Sequence, residues 1–401
     1  MSLNAGGVTL AFSSIGHVFS HLVILLYATL VLVLEREMGI TFAEIQWLAL
    51  PGFILYGVAS LPAGWLGDRW SEARMMAVFF FGTGAAAIYT AFATTKVELL
   101  IGFSAIGLFG AIYHPVGMAW LVKNAVNRGR ALGINGVFGS VGTAGAAVVA
   151  GSLADLWGWR AAYIVPGAVA IAVGFAFVAC MASGVIRDRT SEARTVAPAS
   201  VGDMKRVFAI LVITTIAVGL IFQATSAALP KLFSDRLFAA EGSATRVGAL
   251  VSVVYLLSAV AQWAGGELAD RYPQRTVYFA CQALQVPALL LAFALHSWLL
   301  VPVAVVMIGL NSALSPAENA IVARYTPLGW RSRVFGLKFV VSQGLASGGI
   351  ALVAVVYDAT GALDASFLIF AAFAAVAAVG ALLLPTDSAA AVPAPRAAAA
   401  E

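Results

Sequence analysis

Few side chains in this chain could do chemistry, and they sit in long apolar runs. His17 and His21 are four residues apart, so on a helix they share a face. Imidazole can attract an anion when protonated, pass a proton, or ligate a transition metal. His114 and Met118 repeat the four-residue spacing and add a thioether. His17, His21, His114 and Met118 therefore form a candidate ligand set for a transition-metal ion. Glu318 is a carboxylate in an apolar stretch and a candidate for loading and releasing a proton. Gln223, Asn311 and Asn319 are neutral polar residues in similar surroundings, and Tyr27 and Tyr113 add aromatic rings near the histidines. The competing readings are packing histidines bonded to backbone carbonyls, and a Glu318 paired with Arg324 or Arg333. Polar groups are expensive within a membrane and normally face a cavity or a partner.

The elements that must position these residues are membrane spans. The chain has 401 residues, 61% hydrophobic and 10% charged, against about 25% charged for a soluble protein. That balance leaves too little polar surface for a water-soluble body. A span needs about 20 apolar residues, and the runs predict twelve: 9–34, 42–64, 75–94, 97–122, 130–154, 160–182, 206–230, 246–267, 276–295, 298–323, 332–357 and 364–385. Helices are required, because isolated strands would leave backbone groups unpaired in lipid. The expected organisation is an N-terminal six-helix half over 1–183, a polar linker over 184–205, a C-terminal six-helix half over 206–386, and an Ala- and Pro-rich disordered tail over 387–401. Gly133, Gly136, Gly139, Gly142 and Gly145 are expected to line one face of the fifth helix and permit close packing. Pro115 and Pro316 predict kinks in the fourth and tenth. Cys180 and Cys281 lie in apolar runs, which argues against a disulfide framework. The N-terminus lacks a basic stretch and a cleavage site, and reads as a retained first helix.

Charge distribution suggests the orientation. With both termini placed in the cytoplasm, all 23 lysines and arginines fall on the inner side except Arg36, Lys96, Arg160, Lys231, Arg236 and Arg246. This bias accounts for the net charge of +4 without nucleic acid as a partner.

Two short charged stretches separate long apolar runs. One runs from Gly64 through Gly67, Asp68 and Arg69 to Arg74. The other runs from Gly266 through Asp270 and Arg271 to Arg275, about half the chain later. Pro115 corresponds to Pro316, Gly117 to Glu318, Arg130 to Arg333, and Asp155 to Asp358. Six spans repeated in the same orientation fit two parallel halves with a solute path between them.

These residues resemble the major facilitator superfamily. The resemblance covers essentially the whole chain, with Gly64, Gly67, Asp68, Arg69 and Arg74 as its signature and Gly266, Asp270, Arg271 and Arg275 as the weaker copy. Ala269 stands where the first copy has Gly67, and Pro273 follows Arg271. Gly16, His17, Ser20, His21 and the Tyr113–Pro115 segment are also similar to a bacterial branch of fosmidomycin-resistance-like exporters. The family implies an all-α integral membrane protein of twelve transmembrane helices. It also implies a bacterial inner-membrane location, gating by Asp68, Arg69, Arg74, Asp270, Arg271 and Arg275, and a central path lined by helices one, four, seven and ten.

The expected activity is secondary transport of a small organic solute by alternating access, with the proton gradient as energy source and no cofactor. Both import and export are compatible. The residues show no phosphate-binding loop of an ATP-driven motor and no Cys-x-x-Cys, and no enzyme is expected. Partners would be the solute and the lipid bilayer, with a monomeric chain. The alternatives are a transition-metal carrier using the histidines and Met118, and a non-transporting receptor or scaffold.

Overall fold

The computed structural model describes residues 5–125, 127–186, 201–239, 242–326 and 331–385. The fold is all-α. Its described residues contain twelve helices long and apolar enough to cross a membrane. The first six are α1 (Gly6–Met38), α2 (Phe42–Arg69), α3 (Glu72–Ala91), α4 (Lys96–Asn124), α5 (Arg130–Trp157) and α6 (Trp159–Ala182). The second six are α7 (Arg206–Leu237), α8 (Ala244–Arg271), α9 (Gln274–Ala294), α10 (Leu300–Tyr325), α11 (Val334–Thr360) and α12 (Asp364–Leu383). They form two six-helix bundles. α1 is 83% buried along its most apolar window and α6 only 28%, so α1 is central and α6 faces outward. Phe175, Trp157 and Trp263 are among the large apolar side chains left on the outer surface, as lipid exposure requires.

Helix starts follow local capping chemistry. Thr41 and Glu44 form a reciprocal capping box at the start of α2, and Thr95 with Glu98 does the same for α4. The helix that carries span α7 extends from Val201 to Leu237, so the end of the expected linker is helical. Residues 187–200 of that linker and the tail from 386 onward lie outside the described residues.

Four spans are interrupted. α4 contains a π turn at Tyr113–Gly117, around Pro115. α10 breaks into Leu300–Ala313 and Ser315–Tyr325, with Pro316 in the first turn of the second piece. A proline lacks the N–H that would continue the ladder, so both breaks have a local cause. α2 is interrupted at Ala59, between Phe42–Val58 and Ser60–Arg69. α11 passes through a π turn at Val340–Gly344 and a 3-10 turn at Leu345–Ser347.

The glycine series on α5 departs from expectation. Each three-residue step falls about 60° short of a full turn, so the four steps from Gly133 to Gly145 sweep around the helix. Gly142 packs against the backbone at Val18 of α1, and Gly139 against the ring of His17. Gly133, Gly136 and Gly145 have nothing near the position of an added Cβ. These glycines do not share one packing face.

The halves meet along two seams. Between α5 and α8, Ser252 Oγ donates to the Ala144 carbonyl at 2.5 Å and accepts from Val148 N–H at 3.1 Å. Asp155, at the end of α5, accepts from the N–H groups of Ala244 and Thr245 at 3.2 and 2.8 Å. Those donors are the unpaired first turn of α8. Between α2 and α11, a Cβ on Gly57 would overlap the backbone of Gly344, so only glycine permits this approach. The same seam brings the tilted rings of Phe42 and Tyr357 to 4.8 Å. Nearby, Lys231 of α7 donates to Glu35 of α1 at 2.8 Å.

Candidate functional site

A cavity of about 340 Å³ lies between the bundles. His17 and His21 of α1 and His114 of α4 line it on one side. Thr215 of α7, Asn311 and Glu318 of α10, and Lys338 and Gln343 of α11 line it on the other. The family resemblance implies four lining helices. Here α5, α8 and α11 contribute as well, through Gly139, Tyr255 and Lys338 among others.

The N-terminal wall is built on hydrogen bonds behind the histidines. His17 Nδ1 lies 2.8 Å from the Asn135 carbonyl, which can only accept, so Nδ1 carries the proton and Nε2 keeps its lone pair. The Asn135 side chain donates to Ser13 Oγ at 3.1 Å and to the Tyr113 hydroxyl at 2.8 Å. Tyr113 stacks on His17 with centroids 5.0 Å apart. The rings of His17, His21 and His114 lie 5.1 to 5.3 Å from one another. Phe339 of α11 covers His114 from the opposite half at 4.6 Å.

The C-terminal wall carries charge. Glu318 Oε2 lies 2.6 Å from Lys338 Nζ, and both side chains are largely buried. Glu318 Oε1 accepts from Thr215 Oγ1 at 2.5 Å, and Lys338 Nζ also donates to Asn319 Oδ1 at 2.5 Å. A buried ion pair is tolerable only when further hydrogen bonds satisfy it, and this one is held by three helices.

The expected site residues separate in this geometry. His17, His21, His114, Asn311 and Glu318 line the cavity. Tyr27 does not: it is buried inside the N-terminal bundle and donates to Gln46 at 3.1 Å. Ten residues separate it from His17, which puts it about 80° off the histidine face. Tyr113 stands behind His17 as support. Gln223 is buried and reaches the cavity through Gln343, to which its amide donates at 3.3 Å. Asn319 is exposed and holds Lys338. Met118 packs in the apolar core and is absent from the lining. The π turn widens the helix just before it, so the four-residue spacing no longer aligns Met118 with His114.

The partner of Glu318 is Lys338, where Arg324 or Arg333 was the expected alternative; the Arg333 side chain lies outside the described residues. Lys338 carries a signal that could have found it. It lies inside the run 332–357, where a loop charge would not be. Thr215 and Asn135 carry no such signal, since hydroxyls and amides are common in spans.

Among the described residues, the arginines of the two charged stretches contact groups of their own halves. Arg69 lies over Trp65 and Arg74 over Trp70, at 4.8 and 5.8 Å. Arg271 pairs with Glu267 at 3.2 Å, and Arg275 donates to the Leu382 carbonyl at 2.5 Å. Asp68 and Asp270 are exposed and make no ion pair among the described residues. Gly64 and Gly67 lie against Pro115 and Val116, where an added Cβ would come within 3.1 and 3.0 Å. The corresponding contact of Gly266 with Pro316 is looser, at 3.9 Å.

The chain matches the Major Facilitator Superfamily over residues 13–238 and again over 211–400. It belongs to that superfamily. The chain is 26% identical over 140 residues to the puromycin resistance protein of Streptomyces alboniger, a match spanning 34% of this chain and 28% of that one. Among solved structures it is similar to a bacterial homolog of the human lysosomal transporter Spinster. In the inward-facing, occupied conformation of that homolog the TM-score is 0.79 at 14% identity, covering 96% of this chain and 97% of the other. In the unoccupied conformation the TM-score is 0.76 at 14% identity, covering 96% and 98%. These similarities establish the superfamily and the fold, and do not single out the fosmidomycin-resistance-like branch.

Proposed function

We propose that this membrane transporter moves a small organic solute by proton-coupled alternating access, with Glu318 as the proton-responsive group and Lys338 as its switchable partner. The observation that carries this reading is the Glu318–Lys338 contact of 2.6 Å in the cavity wall. Protonation of Glu318 cancels its attraction for the ammonium. Lys338 then turns to Asn319 or to an electronegative group of the solute. Loss of the proton restores the pair and dismisses the solute. Coupling follows because proton and solute bias the same two-state equilibrium. Gly117, the counterpart of Glu318, has no side chain to titrate, so the task belongs to the C-terminal half.

In this reading the charged hairpins face the cytoplasm with both termini, in the inner membrane, as the basic-residue distribution supports. Glu35–Lys231 and Asp155 with the first turn of α8 then close the outer side. Asp68, Arg69, Arg74, Asp270, Arg271 and Arg275 come together when the inner side closes.

The test begins with a thermal-stabilisation screen of the purified protein against organic anions, drugs and metal salts at two pH values. The strongest organic hit is then followed in proteoliposomes. Accumulation against its gradient under an imposed pH difference is the expected result. Equilibration alone, unchanged by the pH difference, would overturn the proposal.

A further inference from the structure

His17, His21 and His114 each offer a ring nitrogen to one spot, and these atoms lie within 4.8 Å of one another. Three nitrogens on one tetrahedral ion at about 2.05 Å would be roughly 3.3 Å apart. The difference is within reach of small side-chain rotations. His21 makes no hydrogen bond among the described residues that would resist them.

Three details favour an ion over packing alone. The Nδ1–H of His17 is held by the Asn135 carbonyl, which leaves Nε2 as the free donor. Metal-bound histidines are commonly oriented this way, by a backbone carbonyl on the second nitrogen. His114 Nε2 is buried without a hydrogen-bond partner, a costly condition that a bound ion would relieve. On α5, Gly139 keeps the approach to His17 clear, since a Cβ there would sit 2.5 Å from Cε1 and Nε2.

We propose that these three histidines form a binding site for a divalent transition-metal ion of the zinc, copper or nickel class. The all-nitrogen donor set suits these ions and not magnesium or calcium, which prefer oxygen. Three protein ligands leave coordination positions open toward the cavity, as in sites that exchange a further ligand. Met118 takes no part. The inference concerns the same cavity as the proposed solute path but does not depend on proton coupling at Glu318.

The experiment uses the purified full-length chain with any affinity tag removed. Cobalt(II) is titrated and followed by visible absorption, then displaced with zinc(II). Saturation at one ion per chain is expected. His21→Gln and His114→Gln should each weaken binding at least about tenfold, the scale on which lesser changes around a metal site already act. His296→Gln, at an exposed position on the surface, should bind as wild type does. Copper(II) paramagnetic resonance on the unmodified chain gives a readout that needs no variant. Couplings from three imidazole nitrogens are expected. Fewer than three, absence of saturable binding, or unchanged binding in well-folded His21→Gln and His114→Gln proteins would each overturn the site. Loss of metal binding leaves the pH-driven accumulation test unaffected, so the two readings fail separately.

Discussion

Across the cavity, the N-terminal half presents three imidazoles backed by an amide network, while the C-terminal half presents a carboxylate paired with an ammonium. The backbone beneath the two walls is alike. Both α4 and α10 are interrupted beside a proline, and the preceding hairpin helix of each half packs a glycine against that proline. The difference lies in which neighbour of the proline carries chemistry. In α4 it is His114, directly before Pro115. In α10 it is Glu318, two residues after Pro316. Duplication supplied a broken helix twice, and each half fitted a different reactive group to it.

The largest effect that should expose this difference comes from separating the ion pair. Glu318→Ala leaves Lys338 buried among α7, α10 and α11 without its partner. A loss of about 3–5 kcal/mol is expected, the range for breaking a buried pair, read as a drop in thermal midpoint. The exchanged pair Glu318→Lys with Lys338→Glu should recover most of that stability. No such rescue exists for the histidine wall, whose members are held by stacking and by Asn135. Full stability in Glu318→Ala would mean that the two walls do not differ in this way.

A second variant attacks the other wall alone. Gly139→Val puts a branched side chain where His17 now sits, and overpacking of this kind costs about 1–3 kcal/mol. Metal binding should be abolished while pH-driven accumulation of the organic solute persists. Loss of both in a well-folded protein would show that the walls act as one site.

The two seams offer a smaller contrast. Asp155→Ala removes a carboxylate from the first turn of α8, at a cost of about 1 kcal/mol. The α2–α11 seam has no equivalent, because Glu35 takes the Phe42 N–H at 3.0 Å and Asp358 is exposed. Asp358→Ala should therefore leave the thermal midpoint unchanged, and an equal loss in both variants would restore the symmetry that the structure lacks.

These asymmetries also explain what could be read from sequence. Twelve spans and two halves were legible because apolar length and charged hairpins are determined by the bilayer itself. The breaks at Pro115 and Pro316 were legible because proline removes a backbone donor. The break in α11 was not, since no proline marks Val340–Ser347. His17, His21 and Glu318 were legible because such groups are rare in apolar runs. Tyr27 misled because proximity in sequence was taken for a shared helix face. Lys338 also stands inside an apolar run, but which acid it pairs with was not legible. Its role emerges only when α10 and α11 are brought side by side.

The central claim is that Glu318 couples protons to solute movement. It is tested most directly by Glu318→Gln, which resembles the protonated carboxyl in shape and charge. The measurement is flux of the same solute in proteoliposomes, as exchange without a pH gradient and as net accumulation with one. The account predicts that exchange continues and that accumulation is lost. Accumulation equal to wild type would contradict it and reduce the Glu318–Lys338 pair to a structural contact.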